Sequence, residues 1–476
     1  MTRSFLALAL CLALVPTARA QRQPGDPIKL TVEPAKMPAR PLKYAFHFEL
    51  VSQTSGNAAA DYKEAGKLFR DAVNNTGTPS EQLDAWLDAD LQDFPAKDVE
   101  EFFQKHKDIL PLLEKAARRE QCDWGHREGL RKRGINLTIP ELQDMRGLIR
   151  LVALHCRANV YHHKLDAALE DVRLGLVMAR HTAESPILIS DLVGIALTQV
   201  MLARVDEIIQ QPGAPNLYAA LSDLPTPYIK LDKGIEGEKL GLCGTFPGLP
   251  DTVGDLNAGP MTEEQVKDCL KALGEFDRSL AQNPLQTVMA LNVSMKHEKA
   301  KEALIASGRP KEKVEAMPHF QVALLHAFLA LEPYYDQELA LQKLPPWEAV
   351  PKAREVSRQI REKATKIDNN GPALNLIFRQ FLPAFDRVLR AQIRTDRRIA
   401  ALRCVEAIRL YAATHDGQLP ARLSDIKEVT LPVDPLVGKP FEYQVVEKTA
   451  VLKGAIPPGE KDAKAEWLTY EVTIKK

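Results

Sequence analysis

"LPVDPLVGKPFEYQV", Leu431–Val445, is the stretch on which the fold turns. Three prolines and a glycine surround Asp434, and alternating apolar residues follow. Pro432 and Pro435 fix φ on either side of Asp434, whose short side chain can bond its own downstream backbone. Gly438 supplies a positive-φ position, and Pro440 blocks re-entry into a helix. Phe441, Tyr443 and Val445 then alternate as a half-buried strand does. Upstream, Pro372 to His415 carries one long amphipathic pattern. Phe378, Phe381, Phe385 and Val388 share a stripe, and Ile399, Leu402, Val405 and Ile408 follow at helical spacing. Gly417 is placed to end that helix in a left-handed conformation, and Pro420 opens a short helical turn. "TAVLKG" (Thr449–Gly454) and "EWLTYEVTIK" (Glu466–Lys475) offer two further strands. The pattern predicts a stiff reversal that folds a small sheet back onto the end of a long helix.

"RLYAATHDGQLPARLSDI" (Arg409–Ile426) followed by "LPVDPLVGKPFEY" (Leu431–Tyr443) resembles, in order and spacing, the type II secretion pseudopilin module, a type IV pilin-like unit. The resemblance covers about residues 376–475, a fifth of the chain, and implies a long helix capped by antiparallel strands. The whole chain is similar to large exported bacterial proteins that join helical domains to such a tail. Assembling pilins begin with an apolar membrane-spanning helix. Here the module lies at the C-terminus, and its helix bears Arg387, Arg390, Arg394, Arg397 and Arg398, a series that reads as a solvated face. Assembly through that helix is therefore not implied. Some pseudopilins bind calcium in a strand-connecting loop. Glu460 and Asp462 lie in such a loop here, without the ligand spacing of a calcium motif.

The first twenty residues, "MTRSFLALALCLALVPTARA", order a charge, an apolar run and small residues as a secretory signal peptide does. The run is too short to span a bilayer, so cleavage after Ala20 is expected rather than lipidation at Cys11. Its removal takes Arg3 and Arg19 and leaves 61 basic against 63 acidic residues over 456 positions. That balance excludes a basic field for nucleic acid, and it includes no acidic tail. Cys122, Cys156, Cys243, Cys269 and Cys404 are odd in number and widely spaced, with no CxxC, which argues against a disulfide framework or structural zinc. "PILISDLVGIALTQVMLARVDEII" (Pro186–Ile209) is apolar, but Asp191, Gln199, Arg204 and Asp206 make it a buried helix rather than a membrane span.

Between the two ends the pattern is helical. Thr78 with Glu81, Thr138 with Glu141, and Thr262 with Gln265 each read as a capping box. "KLDAALEDVRLGLVMAR" (Lys164–Arg180) places Leu165, Ala168, Val172, Gly175 and Leu176 on one face, with "NVYHH" before it as the turn of a helical hairpin. The hairpin occurs once and makes no repeat array. The expected organisation is a signal peptide at 1–20, an extended lead-in over 21–55, and a helical domain over 56–240. A Gly/Pro-rich loop over 241–260, a second helical region over 261–371 with breaks near Pro284, Pro318, Pro333 and "LPPWEAVP", and the pilin-like α+β module over 372–476 complete it.

Chemistry-bearing residues are few. In "REQCDWGHREG" (Arg119–Gly129), Cys122 and His126 are the residues a thiolate–imidazole pair would use, with Trp124 read as the anchor of the loop. His155 and His162, seven residues apart, with Asp166 beyond, are the metal-ligand candidates on a continuous helix, and a turn at "YHH" separates them. No HExxH, GxSxG, P-loop or dinucleotide fingerprint is present, and no cofactor is expected. The expectation is a mainly α protein of helical hairpins or a bundle with a small α+β tail, exported to the periplasm, cell envelope or exterior. It acts as a scaffold or interaction protein on a protein partner. The alternative is a hydrolase of envelope peptide or polysaccharide. No nucleic-acid partner and no membrane span after cleavage are expected, and the sequence leaves the oligomeric state open.

Overall fold

The structure, a computed structural model, describes residues 26–75, 80–276, 297–366, 385–456 and 468–475. Of the sequence readings, the signal peptide with Cys11, the Thr78 cap, Pro284, Phe378, Phe381, Glu460 and Asp462 lie outside the described residues. Helices dominate the described residues. They run α1 (Ala58–Asn75), α2 (Ser80–Asp88), α3 (Ala96–Lys105), α4 (Ile109–Ala117), α5 (His126–Arg133) and α6 (Glu141–Tyr161). Then follow α7 (Leu165–Thr182), α8 (Leu188–Ile208), α9 (Tyr218–Ser222), α10 (Asp232–Gly244), α11 (Leu249–Gly254) and α12 (Glu263–Phe276). The series ends with α13 (His297–Ala306), α14 (Lys311–Ala316), α15 (His319–Leu341), α16 (Pro346–Lys366) and α17 (Phe385–Thr414). Among the described residues six short strands occur: β1 (Ile28–Val32), β2 (Thr54–Asn57), β3 (Arg119–Gln121), β4 (Glu442–Val446), β5 (Thr449–Lys453) and β6 (Thr469–Ile474).

The core is the antiparallel packing of α6, α7 and α8. Leu148, Val152 and Cys156 of α6, Ala168, Val172 and Leu176 of α7, and Met201, Leu202 and Val205 of α8 are wholly buried. Gly175 lets α7 and α8 close, since a Cβ there would lie 2.6 Å from the Met201 side chain. The hairpin turn falls at His162–Lys164, as "NVYHH" predicts. Among the described residues α8 is the one helix long and apolar enough to cross a membrane, and most of it is buried in the fold. The charged residues near its C-terminal end are paired inside. Glu207 accepts from Arg157 Nε at 3.0 Å and Arg204 Nη1 at 2.6 Å, while Arg157 also caps the end of α2 through Leu87 O and Ala89 O.

Four local expectations change. Thr262 and Gln265 do form a reciprocal capping box, but Thr138 caps nothing, because Pro140 opens α6 and Glu141 turns to His126 and Lys63. The 241–260 segment is partly helical, since buried Leu242, Phe246 and Leu249 among its glycines drive α10 and α11 onto the core. Pro333 lies inside α15 rather than ending it. Burial of Leu331, Tyr334 and Tyr335 around it outweighs the ~3 kcal/mol helix cost. The 21–55 lead-in contributes β1 to a sheet.

That sheet has the order β1-β6-β5-β4. β4 and β5 form a hairpin, β5 pairs antiparallel with β6, and β1 joins β6 in parallel from Ile28↔Tyr470 to Val32↔Ile474. Its buried face carries Leu30, Val32, Ala450, Leu452, Tyr470 and Val472. Tyr470 reaches across to Asp206 of α8 at 3.2 Å. The sheet is thus mixed and completed from the far end of the chain, which a C-terminal unit bounded at 372 does not anticipate.

The turn quoted at the outset is held by its aspartate. Asp434 is fully buried. Its Oδ2 accepts from Arg397 Nε at 3.0 Å, Arg397 Nη2 at 2.6 Å and the Ala455 N–H at 3.1 Å; its Oδ1 accepts from the Leu436 N–H at 3.0 Å. Gly438 takes φ +67° and Gly417 φ +76°, as the sequence requires. The arginines of α17 are not a uniformly solvated face. Arg397 is buried against Asp434, and Arg398 donates to Asp206 at 2.6 Å and Gln199 Oε1 at 2.7 Å. A buried guanidinium is retained when a carboxylate pairs with it, and here Asp434 of the turn pairs with Arg397 and Asp206 of α8 with Arg398.

Candidate functional site

The loop between β3 and α5 brings together the chemistry the sequence singles out. Asn57 clamps it, donating to Asp123 O at 2.7 Å and accepting from the Asp123 N–H at 2.9 Å. Asp123 in turn accepts from the Gly125 N–H, and Gly125 adopts φ +74°. The chain therefore reverses and drives Trp124 inward. Trp124 is buried, donates Nε1–H to His181 O at 2.8 Å, and stacks with Tyr62 on one side and His126 on the other. Tyr62 and His181 Nδ1 share a hydrogen bond of 3.0 Å. Burial depresses His181 to about 4, so it is neutral at physiological pH.

His126 does not pair with Cys122. Its Nδ1 shares a 2.7 Å hydrogen bond with Ser185 Oγ, and its Nε2 lies 3.8 Å from Glu141 Oε2. Burial pulls His126 down, against the opposing charge of Glu141. Cys122 is half-buried, and burial, with Glu184 and Asp123 nearby, holds its thiol far above the usual range. It is a thiol, not a thiolate, at neutral pH. A hydroxyl, an imidazole and a carboxylate in line have the composition of an acyl-transfer triad. Ser185 is 1% exposed, however, so the arrangement as it stands braces the loop against the start of α6 and the end of α7. Ser185 and Glu141 were not legible as partners of His126, lying 59 and 15 positions away in sequence with no motif around either.

The metal-ligand candidates separate. His155 Nδ1 bonds Asp171 Oδ1 at 2.8 Å, and Asn159 holds the other oxygen at 2.8 Å. Burial disfavours the imidazolium of His155, and the Asp171 bond outweighs it, so its pKa rises. His162 pairs instead with Glu100 of α3, in a shallow depression of about 490 Å³ lined by Phe94, Pro95, Tyr161 and His162. Asp166 accepts from Lys43 at 2.9 Å and Tyr44 at 2.8 Å. Among the described residues no group of three or more His, Cys, Asp or Glu side chains is arranged to hold a metal ion.

A second candidate is the outer edge of the sheet. β4 is its terminal strand, and among the described residues no strand pairs with its free side. Val445 and Val446 are 39% and 49% exposed there, while Phe441 and the Tyr443 hydroxyl, bonded to Pro420 O at 2.8 Å, pin the start of the strand. A strand edge with exposed valines and unpaired N–H and C=O groups is a template for an added strand. Comparisons with family models, with curated proteins and with solved structures return no match to this chain.

Proposed function

We propose that this chain is an exported interaction protein of the cell envelope, and that it presents a pilin-like tail whose free strand β4 takes up an extended segment of a protein partner. The observation that carries the reading is the exposed Val445–Val446 edge on a turn locked by the buried Asp434–Arg397 pair. A strand template is useful for recognition when it is rigid, because little ordering entropy is then lost on binding. The partner's backbone would supply the ladder hydrogen bonds, and its successive apolar side chains, one to each face, would cover Val445 and Val446. The signal-like N-terminus and the near-neutral charge are consistent with envelope residence and with a protein rather than a nucleic-acid partner.

The test is a photo-crosslinking residue placed at Val446 in the exported protein, with the same residue at Lys97 on the exposed face of α3 as reference. Adducts specific to position 446, lost when Val445 is replaced by lysine, support the reading. Identical adducts from both positions, or none from 446, overturn it.

A further inference from the structure

We propose that the contacts of α10 with α8 and with α15 form an acid-loaded joint: uncharged carboxyls of Asp191, Glu238 and Glu338 allow the helices to pack, and their ionisation loosens α15 from α10. Each carboxyl comes from a different helix. Asp191, in the first turn of α8, is fully buried, and among the described residues neither of its oxygens has a hydrogen-bond partner. The Ser190 hydroxyl beside it and the Tyr335 hydroxyl of α15 are likewise buried without a partner. Glu238 of α10 accepts only at the edge of bonding distance, from the Leu188 N–H at 3.3 Å. Glu338 of α15 is 4% exposed. Glu238 is half-buried, whereas Asp191 and Glu338 are buried; carboxyls buried without a partner, as Asp191 is, are accommodated when they carry no charge.

The groups that face the joint reinforce this. Burial raises Asp191, and charges on Glu238, Asp232 and Glu184 raise it further, opposed by Lys233. Burial raises Glu238 to about 7. Burial, then Glu238, raises Glu338 to about 8. Burial and the charges of Glu238, Glu338 and Cys243 raise the Tyr335 phenol. The two nearby lysines of α10 are already engaged, Lys233 with Glu184 and Lys239 with Glu332 at 2.9 Å. From α13 and α16, the other helices against α15, no charged group acts on Glu338 among the described residues. Successive ionisation therefore places like charges on α10 and α15 with little to compensate them. The Lys239–Glu332 ion pair and the edge-to-face contact of Phe246 with Phe328 are left to hold the two sides.

The experiment is hydrogen–deuterium exchange read by mass spectrometry at pH 6.5 and 9.0, with rates corrected for the intrinsic pH dependence of exchange. The wild type is expected to lose about tenfold protection in peptides covering 232–244 and 319–341, with α6 and α7 unchanged. Glu238→Gln/Glu338→Gln, which mimics the protonated pair, is expected to keep its protection at both pH values. If the double variant fails to fold, Glu338→Gln alone supplies the comparison and should retain at least part of the protection at pH 9.0. Equal protection of the wild type at both pH values overturns the joint. So does a loss that the Gln variants share, or one spread evenly over the molecule.

Discussion

Replacing Asp434 with alanine tests how the tail is attached. Four hydrogen bonds converge on this carboxylate, two from Arg397 and one each from the Leu436 and Ala455 backbone, at 2.6–3.1 Å and with no access to water. The substitution leaves a guanidinium buried against a hole, and breaking one side of a buried pair costs ~3–5 kcal/mol. Against a total of ~5–15 kcal/mol for a folded domain, that loss is a large fraction. Urea unfolding followed by far-ultraviolet circular dichroism should show the midpoint falling accordingly. Arg397→Met/Asp434→Leu, which removes both charges and fills the volume, should recover most of the loss, because the pair itself contributes little beyond the apolar alternative. A loss below about 1 kcal/mol in Asp434→Ala, the range of a surface pair, would refute the claim that Asp434 anchors the turn to α17.

Two further outcomes follow from single positions. Gly438→Ala should cost about 1–2 kcal/mol in calorimetric unfolding, because φ is +67° and a Cβ would lie 2.6 Å from the Trp347 ring; an unchanged transition temperature would show that the turn has another available shape. Cys122 should alkylate with a maleimide at pH 7.5 on the order of 100-fold more slowly than free cysteine, since its thiol is held protonated. Rapid labelling at that site, read by peptide mass spectrometry, would contradict the buried-thiol description.

The elements with local signals were legible. Gly417, Gly438 and the prolines around Asp434 marked a reversal because only certain residues tolerate those dihedrals, and the structure places the turn and all three C-terminal strands where they predict. The α6–α7 hairpin was readable from period and small residues. What escaped depends on contacts between distant positions. Nothing around Ile28–Val32 specifies a parallel partner at Tyr470–Ile474. The charge on Arg397 looked outward because its carboxylate comes from Asp434, thirty-seven positions on. Trp124 was correctly read as an anchor, whereas His126 was joined to Cys122 by sequence proximity and in space belongs with Ser185 and Glu141.

The parallel pairing of β1 with β6 has a mechanical consequence. Tension applied through the residues before Ile28 and after Ile474 pulls the two strands from opposite ends of their shared ladder. The rungs then bear the load together in shear instead of opening one at a time, as they would in a hairpin pulled from its mouth. The five-residue seam is therefore a clasp. While it holds, a pull on the ends is borne at the sheet and does not reach the helices between them.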